Sequence, residues 1–173
     1  GLYNENGLDI NDIINFKEKG HSLKVYDRQG VEKVNNDKLL TYPCDALIPS
    51  ADFHAVTTDV ADKLQCRMII EGSNVPTELR ADRILDERKI TVIPDIIANS
   101  GGLIVSYFEW VQDLSALQWS VDHVSSELEK IIVNAFDKVC KLKKEQPVTY
   151  RQAAHMVAVK RVVDALKLRG IYP

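Results

Sequence analysis

The sequence predicts an α/β fold, in which an incomplete, doubly wound parallel sheet is followed by C-terminal helices. The main support is a set of three short apolar runs separated by helical segments, at residues 45–48, 67–70 and 90–93. None of these runs alternates with polar residues, which is typical of parallel strands covered by helices on both faces. After residue 98 only helical periodicity remains. We therefore divide the chain into a sheet-containing part, 1–98, and a part made of packed C-terminal helices, 99–173.

Capping and breaking residues predict the elements around these strands. Asp9 is placed to cap a short helix that follows it. Residues 24–27 are predicted to form a further strand. Residues 57–64 and the charged segment 76–87 are predicted helices, the second capped by Thr77 or its neighbour.

The C-terminal part is predicted to contain three helices, at residues 104–113, 121–144 and 149–168. The second helix carries its apolar residues three or four positions apart, which forms one stripe along its length. The third is apolar nearly all round at its centre, residues 153–159, and this pattern is typical of a helix buried between other elements.

Composition and charge exclude several classes of protein. The 173 residues include 22 Lys+Arg and 25 Asp+Glu, a formal net charge of −3, and 45% are hydrophobic, as in ordinary globular chains. The mild acidity argues against a nucleic-acid partner. The longest uninterrupted apolar run, 156–159, is far shorter than the ~20 residues that a membrane span needs. The 3 cysteines and 4 histidines lack metal-ligand spacing, so we predict no metal site.

The predicted sheet indicates where a ligand site would lie. In an open parallel sheet, ligands bind beyond the carboxyl ends of the strands. Three turns follow the predicted strands, at residues 49–52, 71–74 and 94–102. Asn74 and Asn99 offer an amide donor and acceptor in two of them. A purely conformational explanation is also open, because strand-to-helix turns require Gly, Ser, Asn and Pro in any case.

The glycines indicate that a nucleotide-binding fold of this type is incomplete here. A Rossmann domain holds a pyrophosphate with GxGxxG after its first strand. The 8 glycines show neither this spacing nor a P-loop, and three or four predicted strands fall short of the usual count of about six. The sequence therefore predicts the second half of a Rossmann-like domain. The first residue, Gly1 rather than Met, fits a cut just after the second strand of that domain.

Long motifs in the chain resemble those of glutamate dehydrogenases. Residues 94–110, PDIIANSGGLIVSYFEW, resemble the family's PD-x-x-AN-x-GG-x-x-VSYFEW stretch, and residues 71–77, EGSNVPT, resemble its EGAN-x-PT turn. The opening residues 1–9 are similar to GGLYNPDGLD, which follows the second strand of the family's nucleotide domain. The chain departs from the family's P-A/C-A-L-E-N pattern at Asp52 and His54.

The resemblance implies roles for individual residues. Ser106 would contact the substrate carboxylate, and Leu103, one turn earlier, would line the same pocket. Asn74 would bind the nicotinamide ribose and Asn99 the carboxamide, with Gly72 and Ser73 in the same cofactor-binding turn. From pattern alone, a hydroxyl inside a helix such as that of Ser106 most often bonds back to a carbonyl.

The implied activity is oxidative deamination of L-glutamate to 2-oxoglutarate and ammonium, with NAD or NADP as cofactor. The family is typically hexameric, so the resemblance implies a homo-oligomer, and we expect it in the cytoplasm. The family's catalytic Lys and Asp lie in an N-terminal substrate domain, so no catalytic residue is predicted in this segment. That domain, and the upstream half of the nucleotide domain, are expected partners. The chain alone is expected to be inactive.

Two alternatives stay open. The first is a leucine, phenylalanine or valine dehydrogenase. These enzymes share the NAGG turn but lack the VSYFEW continuation. A glutamate carboxylate needs hydrogen-bond donors, whereas an aliphatic side chain needs an apolar wall. The other alternative is not an enzyme but a partial Rossmann module that serves in assembly.

Overall fold

The computed structural model of the chain describes residues 1–170, so the last three residues of the predicted 99–173 part lie outside it. Strands and helices follow one another in the order β1 (Leu2–Tyr3), α1 (Ile10–Glu18), β2 (Glu32–Lys33), α2 (Asn36–Leu40), β3 (Cys44–Leu47), α3 (Thr58–Ala61), β4 (Cys66–Ile70), α4 (Leu79–Glu87), β5 (Thr91–Ile93), α5 (Asp95–Ala98), α6 (Gly101–Ser115), α7 (Val121–Glu145) and α8 (Tyr150–Arg169). A short 3-10 helix, Leu23–Val25, precedes β2.

The three predicted apolar runs form a parallel sheet in the order β3-β4-β5. Met68 pairs with Ala46 on one side and with Thr91 on the other, so the three strands end at the same edge. Helices α3 and α4 make the crossovers and bury one continuous apolar core, formed by Val56, Ala61, Leu64, Cys66, Ile69, Ala81, Leu85 and Ile90. Helix α8 packs on β5. The α/β fold with a parallel sheet followed by helices is confirmed.

The N-terminal segment is held together by hydrogen bonds to one carboxylate, that of Asp12. Strands β1 and β2 pair antiparallel, and Asp9 caps α1 as predicted, its side chain accepting from the amide of Asp12 at 3.0 Å. The predicted strand at 24–27 is wrong. Ser22 caps the 3-10 helix there, and the buried Tyr26 donates to Asp12 at 2.7 Å, which turns the chain back on α1.

The Asp12 cluster predicts a pH dependence of stability. Hydrogen bonds from Arg28 and then Tyr26 hold the pKa of Asp12 below its usual value. The cluster therefore stabilises the fold fully above the unfolded pKa of about 3.9, and this contribution is lost as the pH falls through the lower folded-state pKa. We expect wild type to unfold at a higher temperature than Asp12→Asn near neutral pH. The gap between their thermal midpoints should close on acidification; a gap that persists in acid contradicts the assignment.

Of the two residues predicted at the start of α4, Thr77 or its neighbour, the neighbour Glu78 is the one at the N-cap position. Neither side chain caps the helix. Thr77 pairs with Val56 in an isolated parallel bridge, in which the amide of Glu78 donates to the Val56 carbonyl at 3.0 Å, so α4 begins only after Glu78. Its hydroxyl is buried without a hydrogen-bond partner among residues 1–170.

The C-terminal helices pack through a small core and leave much apolar surface exposed. Helices α7 and α8 meet around Val139, Ala153 and Ala154, and Thr149 with Gln152 forms a capping box at the start of α8. The prediction that the centre of α8 is buried holds on one face only, the face that carries Ala153 and Ala154. Met156 and Val159 are 41% and 61% exposed, because α5, α7 and β5 cover only one side of the helix. No helix within residues 1–170 is long and apolar enough to cross a membrane.

Candidate functional site

The turns after β4 and β5 meet at the carboxyl edge of the parallel sheet. Asn74 lies in the first of these turns, and Asn99 follows α5 in the second. The side-chain amide nitrogen of Asn99 donates to the side-chain oxygen Oδ1 of Asn74 at 2.7 Å. The two asparagines predicted from separate strand ends are therefore in direct contact.

An open cleft of about 770 Å³ lies beside this pair of asparagines. Five of the six predicted site residues line it, namely Gly72, Ser73, Asn74, Asn99 and Leu103. Its volume is in the range of about 300–1,000 Å³ that small-molecule sites occupy. The structure thus assembles one cleft from residues that are up to 31 positions apart in the sequence.

Gly72 is required by the close approach of the turn after β3. A β-carbon at position 72 would overlap Ser50 Oγ and lie 3.1 Å from Ser50 Cβ. The amides of Gly72 and Ser73 both donate to the Pro49 carbonyl, at 3.1 and 3.0 Å. The Ser73 hydroxyl donates to the Pro49 carbonyl at 3.2 Å and to that of Asp52 at 3.1 Å. Both the amide and the side chain of Ser73 are therefore bonded to the neighbouring loop.

Leu103 and Ser106 lie one turn apart on the exposed side of α6. Leu103 is 76% exposed and lines the cleft, whereas Ser106 lies a turn further along and is not part of the lining. The hydroxyls of Ser100 and Ser115 donate back to carbonyls of the preceding turn, at 2.8 and 2.7 Å. The Ser106 hydroxyl makes no such bond within residues 1–170, so it is available to an external acceptor.

A buried ion-pair network lies directly behind the cleft. Glu71, the residue before Gly72, has a fully buried side chain. Arg151 donates to its two carboxylate oxygens at 2.7 and 2.9 Å, and to the two oxygens of Asp82 on α4 at 2.6 and 3.0 Å. Burial lowers the pKa of Arg151, but the hydrogen bonds and charges of Glu71 and Asp82 outweigh burial and raise it overall. The guanidinium therefore stays charged and holds two carboxylates in a paired, fork-like geometry.

Asp95 connects this network to the turn that carries Asn74. Its carboxylate lies 3.6 Å from Arg151 and accepts the amide of Val75 at 2.8 Å. Its own amide donates to Glu71 at 2.9 Å. Val75 has φ of 45°, a conformation that costs a β-branched residue about 1–3 kcal/mol. The strained turn is held from its other side by the amide of His54, which donates to the Val75 carbonyl at 3.0 Å.

Sequence reasoning missed Arg151, Asp82 and the burial of Glu71. Arg151 and Glu71 are 80 residues apart, and no local pattern relates them. One local feature does single out Arg151. It lies in the first turn of α8, where the helix dipole disfavours a cation, and a position of this kind indicates an acidic partner elsewhere in the fold. Within residues 1–170, no group of three or more His, Cys, Asp or Glu side chains is arranged to hold a metal ion.

Comparison with known sequences places this chain in a family. The family profile described as Glutamate/Leucine/Phenylalanine/Valine dehydrogenase matches residues 1–170. Glutamate dehydrogenase of Thermotoga maritima is 42% identical over 173 residues, which are 100% of this chain and 41% of the relative. The NAD-specific glutamate dehydrogenase of Clostridioides difficile is 39% identical over 172 residues, 99% of this chain and 40% of the relative.

A solved structure shows the same fold. The hetero-hexameric glutamate dehydrogenase from Thermus thermophilus superposes with a TM-score of 0.87 at 29% identity, covering 99% of this chain and 40% of that one. The chain thus spans about two fifths of the length of the relatives that it matches. With the profile match over residues 1–170, these likenesses show that the chain belongs to the glutamate/leucine/phenylalanine/valine dehydrogenase family.

Proposed function

We propose that the protein carrying this chain oxidatively deaminates L-glutamate to 2-oxoglutarate and ammonium, with NAD or NADP as cofactor. The observation that carries the proposal is the cleft at the carboxyl edge of the sheet, where Asn74 and Asn99 are in contact. Ligands of open α/β sheets bind at this edge. The family and the relatives that share it supply the reaction.

The residues of the cleft fit the nicotinamide end of the cofactor. Asn74 and Asn99 present amide groups that match a ribose hydroxyl and a carboxamide in hydrogen-bonding capacity. Gly72 has no side chain, and its backbone borders the cleft. When bound, the cofactor accepts a hydride from the substrate. The role of this chain is to hold and orient the nicotinamide with Gly72, Ser73, Asn74 and Asn99.

On the substrate side, the hydroxyl of Ser106 donates a hydrogen bond to the side-chain carboxylate of glutamate. Its lack of a hydrogen bond back to α6 supports this role. Leu103, one turn before Ser106 on α6, lines the same pocket and borders the cleft. We assign no proton transfer to this chain, because that role belongs to an N-terminal substrate domain which, with the upstream half of the nucleotide domain, completes the site.

The protein is proposed to act as a homo-hexamer in the cytoplasm. The hetero-hexameric assembly of the Thermus thermophilus relative supports a six-subunit assembly, whereas the identity of the subunits is what the resemblance to the family implies. Large apolar side chains that are exposed along α6 and α8, such as Trp110 and Leu168, support burial by further parts of the assembly. The free cysteines Cys44, Cys66 and Cys140 agree with a reducing compartment.

The proposal predicts the cofactor and substrate preference of the natural full-length protein. Reduction of NAD or NADP, followed by absorbance, should depend on L-glutamate and be at least about tenfold faster than with L-leucine at equal concentration. Faster turnover of leucine, phenylalanine or valine than of glutamate would favour a leucine, phenylalanine or valine dehydrogenase. A protein that turns over none of the four would favour the assembly module. The 173-residue chain serves as the control and should show no turnover.

A further inference from the structure

We propose that Arg151 is a positioning residue for the cofactor, which acts through Glu71 and Asp95 to hold the strained turn that carries Asn74. The inference rests on the proposed role of Asn74. Arg151 itself lies behind the turn and is not part of the cleft lining, so its effect on the cofactor is indirect.

The turn that carries Asn74 needs external restraint. Val75 follows Asn74 directly and has a positive φ of 45°. A conformation of this kind persists only where the surroundings enforce it. Two hydrogen bonds do so here, from the Val75 amide to Asp95 at 2.8 Å and from the His54 amide to the Val75 carbonyl at 3.0 Å. If the Asp95 carboxylate moves, one of the two restraints is lost.

One cation balances the charge of Asp95, whose carboxylate also accepts the amide of Ile96 at 2.8 Å. Glu71, Asp82 and Asp95 converge on Arg151, which gives three carboxylates around a single guanidinium. Without the guanidinium, the fully buried Glu71 has no counter-charge and repels Asp95. Asp95 is still one-fifth exposed, so repulsion turns its carboxylate toward water and away from the Val75 amide.

The geometry of the network requires an arginine at position 151 rather than any cation. All three guanidinium nitrogens of Arg151 donate to Glu71 or Asp82 within 3.0 Å. A lysine ammonium is a compact point charge that does not reproduce two parallel bidentate pairs. The network therefore fixes α4, α8 and both turns of the cleft in one arrangement, with Asn74 facing Asn99.

The test measures dinucleotide binding by the natural full-length protein, titrated with NADH and with NADPH and followed by fluorescence. Arg151→Met removes the guanidinium and should raise the dissociation constant roughly 10- to 100-fold. Arg151→Lys should recover part of the affinity. Arg28→Met is the matched control, since Arg28 also pairs with a carboxylate but lies outside the cleft, and it should bind like wild type. A purely structural defect lowers the folded fraction and leaves the dissociation constant of the folded protein unchanged.

A second measurement follows backbone hydrogen exchange in the same variants. Arg151→Met should speed exchange of the Val75 and Asp95 amides while the amides of β4 keep their protection. Wild-type affinity in Arg151→Met, or wild-type exchange at Val75 and Asp95, would overturn the inference. An equal loss of affinity in Arg28→Met would also overturn it. Arg151→Lys undergoes both measurements if the methionine variant does not fold, with smaller changes expected in the same direction.

The outcomes separate this inference from the proposed function. Dinucleotide binding that depends on Arg151, without turnover of glutamate, contradicts the proposed substrate and supports the positioning role. If the protein turns over glutamate and its dinucleotide binding does not change on substitution of Arg151, the result contradicts the positioning role and supports the proposed function.

Discussion

Replacing Leu85 by alanine should lower the free energy of unfolding of this chain by about 2–5 kcal/mol. Leu85 lies on α4, and its side chain is fully buried in the core that also contains Ile69 of β4 and Ile90. Truncation removes three carbon atoms from contact with the sheet and leaves a cavity, because the crossover helix is held at both ends and collapses only in part. The loss is measured by urea denaturation of the wild-type and variant chains.

Leu79→Ala is the matched control for this experiment. Leu79 lies at the start of the same helix but is 82% exposed, so the same chemical change should alter stability by no more than about 0.5 kcal/mol. Comparable losses in the two variants would mean that α4 does not pack on the sheet as described. The consequence reaches the site, because α4 also carries Asp82, one of the carboxylates bound to Arg151.

The parallel sheet was predictable because its determinants are local. A parallel strand that is covered on both faces is a short apolar run, and residues 45–48, 67–70 and 90–93 each contain such a run between turn residues. The ends of the observed strands lie within one residue of the ends of all three runs. The rule that ligands bind at the carboxyl ends of strands then led to Asn74 and Asn99, whose contact at 2.7 Å follows from the pairing of β4 with β5.

The errors arise where tertiary contacts override local preference. Residues 24–27 have the composition of a strand, but a capping serine and the hydrogen bond from Tyr26 to Asp12 turn the chain there. Thr77 is a good capping residue, yet its bridge to Val56 is closed by the amide of Glu78, so α4 begins one residue later. The burial predicted for the centre of α8 requires neighbours on all sides, and within residues 1–170 it has them on one side only.

The network around Arg151 marks the limit of prediction from sequence for the site. The turn that contains Gly72 and Asn74 is recognisable, but what holds it is an arginine from the last helix. Arg151 and Glu71 are 80 residues apart in the sequence, and they meet because α8 packs on β5. The periodicity of apolar residues does not predict which elements pack on each other. The roles of Asn74, Asn99 and Ser106 stay predictions, since they depend on a bound cofactor and substrate.

Replacing Ser106 by alanine should weaken glutamate binding in the natural full-length protein. Loss of a hydrogen bond from a neutral hydroxyl to a carboxylate costs about 1.5–3 kcal/mol, which raises KM for glutamate roughly 10- to 150-fold. The side-chain carboxylate does not change during hydride transfer, so its contact is equally strong in the ground and transition states, and kcat should change little. The KM for the cofactor should stay at its wild-type value, because Asn74 and Asn99 are untouched.

Ser115→Ala controls for the loss of a serine from the same helix. The Ser115 hydroxyl donates to the carbonyl of Val111 at 2.7 Å and lies near the far end of α6, away from the cleft. We expect this variant to keep the wild-type KM for glutamate. The Ser106 variant should also discriminate less between glutamate and leucine, because only glutamate loses a hydrogen bond. An unchanged KM for glutamate in Ser106→Ala, or an equal rise in both serine variants, would remove Ser106 from the substrate site.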